Sequence, residues 1–322
     1  MKTNLLRSRA AVLTFALVAG ASGVMAQNGN GNGNGNGAPG KPIETGGPSV
    51  VPHGMNQMGD QPTKGGTAAL TPITNHGGPR MGTPKPYLIW YGNWNQTNGS
   101  DTAAGQQIVR DFLFGLSNSP YYQINTTYNG PTGTIANISE ITIGGSGRLS
   151  DSNVATIVKN AITSGAFPAD SNGVYFVVTS SDIAKTGFCT QYCGWHSQMT
   201  VAGTDIKYSF VGNANRCLSN CAAQAISPNG NPGVDGMVSV VAHELEETNT
   251  DPDLNAWYDS RGAENADKCA WTFGQNQTLL PTGAYFNMNL PAATGGSRNY
   301  LIQRNLSATD NKCYVDFVSK AQ

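Results

Sequence analysis

The chain has 322 residues, room for one large or two ordinary domains, and only 12% of them are charged, with a formal net charge of −1. Without a basic stripe or a positive excess, nucleic acid and anionic membrane surfaces are excluded as partners.

The first 26 residues read as a secretory signal. Lys2, Arg7 and Arg9 precede the apolar stretch 10–24, and Val24-Met25-Ala26 has the small-residue character of a cleavage site. That stretch is too short to span a bilayer, so the mature chain is expected to be exported, to the extracellular space or a periplasm, with no membrane span. Residues 27–84 are rich in Gly, Asn and Pro and carry few clustered apolar side chains. Such a segment buries too little surface to offset its ordering entropy and is expected to be a disordered linker, with His53 and His76 solvated in it. One folded domain is then expected over residues 85–322.

Within it, the aromatic and aliphatic run 87–91 predicts a strand, and Ile108, Phe112 and Leu116 predict a helix over 102–116 capped by Asp101. Strands are expected over 121–128 and 138–143, then a helix capped by Asp151 that carries Val154, Ile157, Val158 and Ile162. Residues 174–178 form a continuous apolar run, as in a strand covered on both faces. The alternation predicts an α/β (or α+β) domain with a mixed twisted sheet and packed helices. Six cysteines in an exported chain imply three disulfides, whose pairing the sequence leaves open. Cys189, Cys193 and His196 have spacing that would suit zinc, but an oxidising compartment favours disulfides. His196 is then read as a loop residue beside Trp195 rather than as a group lining a cleft.

The chemistry concentrates in residues 234–247. Val234, Val238, Val241 and Leu245 recur at helical spacing, and His243 and Glu247, four apart, share a neighbouring face. The pattern His243-Glu244-x-x-Glu247 differs by one residue from the His-Glu-x-x-His of zinc peptidases. His243 and Glu247 are therefore expected as metal ligands, and Glu244 as the base that deprotonates the attacking water. The bland alternative is an acidic helix face in solvent. Asp235 is expected to cap the helix and Pro252 to end it near Asn249. Asp251 lies in phase but about 12 Å along the axis from His243, so it reaches the ion only if the chain turns back. Glu264 and Asp267, three apart, supply a further acidic ligand. The likeness to zinc peptidases in which a Glu beyond the motif is the third ligand and a nearby Asp orients a His implies Glu264 as that ligand and Asp267 as the outer partner, with the reversed assignment open. The expected ion is Zn²⁺, and two hard carboxylates also suit Mn²⁺ or Ca²⁺.

Ile89-Trp90-Tyr91-Gly92, Phe188-Cys189 through Cys193-Gly194-Trp195-His196, Val211-Gly212-Asn213, Gly233-Val234-Asp235-Gly236-Met237 and Thr250-Asp251-Pro252 together resemble the EXORDIUM, or phosphate-induced protein 1, family of secreted proteins. The resemblance implies an extracellular protein linked to growth and the cell wall, and supplies no reaction. The helix and the acidic segment after it resemble zincin metallopeptidases, which implies a zincin-like fold in which a sheet precedes the active-site helix. Two functions follow as expectations. One is a secreted metal-dependent hydrolase, a zinc metallopeptidase-like protein acting on an extracellular peptide. The other is a non-catalytic binding or signalling protein for a cell-wall component such as polysaccharide, with a structural metal or none, for which Trp195, Trp257 and Trp271 are candidate sugar-binding aromatics.

Overall fold

The apolar runs become the centre of a mixed sheet. The structure is a computed structural model that describes residues 49–50 and 71–317; the expected signal, His53 and most of the expected linker lie outside these residues. Two short strands, β1 (Ser49–Val50) and β2 (Thr74–Asn75), precede β3 (Lys85–Tyr91), helix α1 (Ala103–Leu116), β4 (Ser139–Ile143) and β5 (Arg148–Leu149). Helix α2 (Asp151–Thr163) leads to β6 (Gly173–Thr179), β7 (Ala184–Lys185), and the long antiparallel pair β8 (Gly194–Val201) and β9 (Thr204–Gly212). The one-turn helix α3 (Leu218–Cys221), the long helix α4 (Pro232–Thr250) and β10 (Trp257–Tyr258) follow. The six-stranded sheet has the order β1-β8-β9-β6-β3-β4, parallel from β9 to β4 and antiparallel at β8 and β1. All seven residues of β6 are buried, as a strand covered on both faces requires.

Alternation along β8 sends its side chains to two layers. Trp195 packs on Tyr208 and Phe210 with the Lys185 ammonium over its ring, on the side held by Asp151 of α2. Gly194 and His196 face the other way, toward α4. The approach there is close: a Cβ on Gly194 would lie 2.5 Å from Val240 Cγ1 and 2.9 Å from Glu244 Oε1, so only glycine lets α4 settle on this strand. Beyond β10 the chain returns over α1 and α4. Residues 288–291 pair with 297–300 and 305–307 with 312–314, the Gln303 N–H donates to Ser239 Oγ, and Asn305 donates to Glu246 Oε2. Helix α4 is consequently buried all round rather than along one stripe, which removes the reading of an acidic face in solvent.

Several local expectations are corrected. Residues 122–128 form a 3₁₀ helix instead of a strand, with the Thr126 and Thr127 hydroxyls donating to the carbonyls of Gln123 and Ile124. The caps shift by one residue: Thr102 caps α1 and Ser150 caps α2 in a capping box with Asn153, while Asn231 rather than Asp235 caps α4. Order also begins before the boundary expected at Pro84, since Ile73 and Met81 are core residues and β2 pairs with β10. His76 is exposed, as expected, and its ring stacks on Tyr258 at 3.7 Å. The cysteines form three disulfides, Cys189–Cys217, Cys193–Cys221 and Cys269–Cys313. Trp195 and Trp257 are buried and Trp271 is half-buried.

Candidate metal centre

Helix α4 contributes three groups to one point. His243 and Glu247 stand one turn apart with Nε2 2.9 Å from Oε1, and Glu244 turns toward β8. Asp267 comes from the loop after β10, its Oδ1 3.5 Å from His243 Nε2, and its backbone N–H donates to Glu247 Oε1 at 3.1 Å. One donor atom each from His243, Glu247 and Asp267 lies within 4.8 Å of the others. Three ties hold that loop: Asn265 donates to the Glu246 carbonyl, the buried Lys268 ammonium pairs with Asp259 at 2.6 Å, and Cys269 is bridged to Cys313. Asp267 Oδ2 in turn accepts the Glu264 N–H.

His196 completes the cluster from the sheet. Its Nδ1 lies 3.4 Å from Glu244 Oε2 and 3.4 Å from Glu247 Oε2, and its Nε2 lies 3.8 Å from Glu264 Oε2. A loop position beside Trp195 is therefore corrected to a strand position facing the opposite layer. Of the four histidines only His196 and His243 fall after residue 84, which does not by itself bring them together. Glu264 is fully buried and stands beside His196, while Asp267 stands beside His243. Asp251 is not in the cluster. Its Oδ1 accepts the N–H groups of Asn255 and Ala256 at 2.5 and 2.6 Å and so closes the turn after the helix.

The electrostatics are those of opposite charges crowded together out of water. Burial works against charge on His243, yet Glu247, Asp267 and Glu244 outweigh it and hold the imidazole well above its ordinary value. His196 is likewise pushed up to about 9, burial being outweighed by Glu244 and Glu247. Burial raises Glu244 to about 7 against the pull of His196, and burial and Glu247 raise Asp267. Glu247 moves the other way: the two histidines overcome its burial and lower it. Both ring nitrogens of His196 and of His243, both oxygens of Glu244 and Oε2 of Glu247 are buried without a hydrogen-bond partner. A divalent ion satisfies such atoms. Donors in a tetrahedral zinc shell with bonds of about 2.0–2.1 Å are about 3.3–3.4 Å apart, close to the separations seen here, so the residues present fit a metal.

Residues 73–315 match the model of the phosphate-induced protein 1 conserved region. The chain belongs to this family. It is 29% identical to Protein EXORDIUM-like 5 of Arabidopsis thaliana over 306 residues, 78% of this chain and 80% of that protein. It is 30% identical to Protein EXORDIUM-like 3 of the same plant over 301 residues, 78% and 85% respectively. Protein PHOSPHATE-INDUCED 1 of Nicotiana tabacum is 29% identical over 172 residues, 44% of this chain and 54% of that protein. No solved structure matches, so the zincin-like part of the expected fold rests on the helix motif alone, while the mixed α/β sheet with packed helices stands. All six residues of the cluster fall inside the phosphate-induced protein 1 region. Among the described residues no helix is long and apolar enough to cross a membrane. The three disulfides are consistent with an extracellular protein.

Proposed function

We propose that this phosphate-induced protein 1 member is a secreted zinc-dependent hydrolase acting on peptide, with the ion held by His243, Glu247 and Asp267. The observation that carries the reading is the convergence of those three donors at 2.9 and 3.5 Å inside the protein, on a helix whose next residue after the histidine is a glutamate. Zinc, when bound there, would supply a Lewis acid able to polarise a carbonyl and to make water easier to deprotonate. Glu244 accepts that proton, and Asp267, whose side chain is 20% exposed while those of His243, Glu244 and Glu247 are buried, marks the side from which substrate approaches. The test joins metal analysis of wild type and His243→Ala with hydrolysis of a peptide library by wild type and Glu244→Gln. Zinc lost in the first variant and hydrolysis lost in the second are expected. Hydrolysis that survives Glu244→Gln refutes the catalytic assignment.

The near-complete burial of the cluster supports a second reading, in which the metal is structural and the protein binds a cell-wall component without turnover. Undiminished binding of wall polysaccharide by a folded His243→Ala variant, together with no hydrolysis by wild type, would favour it.

A further inference from the structure

We propose that the cluster is a two-ion centre, in which His196 and Glu244 hold a second divalent cation and Glu247 bridges the two ions. The proposal rests on the metal-centre reading above and extends it.

Glu247 divides its oxygens between two donor sets. Oε1 lies 2.9 Å from His243 Nε2, in the set with Asp267, and Oε2 lies 3.4 Å from His196 Nδ1, in the set with Glu244. Each set independently brings one donor atom per residue within 4.8 Å, and Glu247 is the member they share. A carboxylate used in this way is the bridge of hydrolytic two-metal sites, whose ions sit about 3.5–4 Å apart. The second set has the spacing of a coordination shell: His196 Nδ1 is 3.4 Å from each of its two carboxylate partners, near the tetrahedral donor separation of about 3.3–3.4 Å.

Charge and burial point the same way. A single ion at His243 is neutralised by Glu247 and Asp267, which leaves the Glu244 carboxylate and His196 beside it fully buried, with both oxygens and both ring nitrogens lacking hydrogen-bond partners. Glu264, also fully buried, adds a fourth carboxylate 3.8 Å from the far nitrogen of His196. Four carboxylates balance two divalent ions. Glu264 then has the outer role that carboxylates take behind metal-bound histidines, turning the ring so that Nδ1 faces the ion. Glu244 uses Oε2 in this arrangement, which leaves Oε1 for the proton transfer proposed above. The competing arrangement is a protonated His196 paired with Glu244 and Glu247, and it has room for one ion only.

The test is the zinc content of the oxidised, full-length secreted protein after loading with zinc and removal of excess, in wild type and His196→Ala. Electron paramagnetic resonance of the manganese-loaded forms runs alongside. Two zinc ions per chain in wild type and one in His196→Ala are expected, with an exchange-coupled manganese pair that collapses to a single-ion spectrum in the variant. One zinc in wild type, whether kept or lost in the variant, overturns the second ion while leaving a metal centre in place. Two zinc ions in both proteins overturn the assignment to His196. No zinc in wild type overturns both this inference and the reading beneath it. The wild-type stoichiometry and its manganese spectrum decide even if His196→Ala does not fold.

Discussion

Replacing Lys268 by methionine removes one charge from the ion pair that anchors the Asp267 loop. The Lys268 and Asp259 side chains are both fully buried, with Nζ 2.6 Å from Oδ2, and the other Asp259 oxygen accepts the N–H groups of Arg261 and Ala263 at 2.8 and 3.0 Å. Methionine keeps most of the apolar stem, so the main loss is the countercharge and not a cavity. A buried carboxylate stripped of its partner costs about 3–5 kcal/mol, whereas an exposed pair contributes no more than about 1 kcal/mol. The larger figure is expected here, a substantial part of the roughly 5–15 kcal/mol by which folded domains are stable. Because Lys268 adjoins Asp267 and the Cys269–Cys313 bridge, zinc affinity should fall as well. Urea unfolding of the oxidised protein, followed by tryptophan fluorescence, measures the first effect, and a competition titration with a zinc chelator the second. Adding Asp259→Asn to Lys268→Met should recover part of the loss, since no unpaired charge then remains. A Lys268→Met loss under about 1 kcal/mol, or a double variant less stable than the single, would refute the argument.

Gly194→Ala should cost about 1–3 kcal/mol through overpacking and weaken zinc binding, because its methyl group would meet Val240 and Glu244. Thermal denaturation and the same chelator titration check this, and unchanged zinc affinity would count against close strand–helix approach as the determinant of the site. Glu246 accepts from Asn305, and burial holds its carboxyl well above the ordinary value against the pull of Asn125, Asn305 and His243. In the unfolded chain it ionises near pH 4.3, so between that pH and the raised folded value the folded state binds more protons. Its contribution is whole below about pH 4 and is lost as pH rises through that window, at about 1.4 kcal/mol per pH unit. Glu246→Gln, which can still accept from Asn305, should flatten that dependence in metal-free protein; parallel pH profiles of unfolding free energy for the two proteins would refute it.

What was legible in the sequence divides by range. Strands β3 and β6 announce themselves as uninterrupted apolar runs, and α4 as helical spacing that ends near a proline, because these signals are local and their burial is nearly complete. The Tyr-rich segment 121–128 misleads for a local reason: its β propensity loses to side-chain hydrogen bonds that stabilise a 3₁₀ turn, while the Tyr128 hydroxyl reaches the Leu306 carbonyl far along the chain. Neighbouring cap formers, Asp101 and Thr102 or Ser150 and Asp151, cannot be ranked from sequence when one has a distant use. Asp101 takes the Ser181 N–H and Asn213, and Asp151 takes Lys185. Around the cluster, the one-turn pairing of His243 with Glu247 was readable from spacing. His196 was not, because alternation along a strand does not say which face receives the helix, and that choice depends on Gly194 meeting Val240.

The burial of α4 also bears on what its polar residues are for. Ser239 accepts the Gln303 N–H, Thr248 donates to the Glu244 carbonyl, Asn249 donates to the Tyr122 hydroxyl, and Glu246 accepts from Asn305. Each of these side chains has at least one protein partner, as buried polar groups in folded proteins generally do. His243 and Glu244, on the same helix and buried to the same degree, meet other ionisable groups instead: His243 Nε2 lies 2.9 Å from Glu247 Oε1 and Glu244 Oε2 lies 3.4 Å from His196 Nδ1. Packing alone does not account for that contrast, since an apolar residue at either position would bury at lower cost. Protons can neutralise the cluster only in part: the same arrangement that raises both histidines and Glu244 lowers Glu247, so an imidazolium and a carboxylate stay together in the interior. On the proposed reading, a divalent cation held by these atoms would supply the positive charge that protons supply only in part. On this ground metal binding is the stronger half of the proposed function, and hydrolysis the half that depends on access past Asp267.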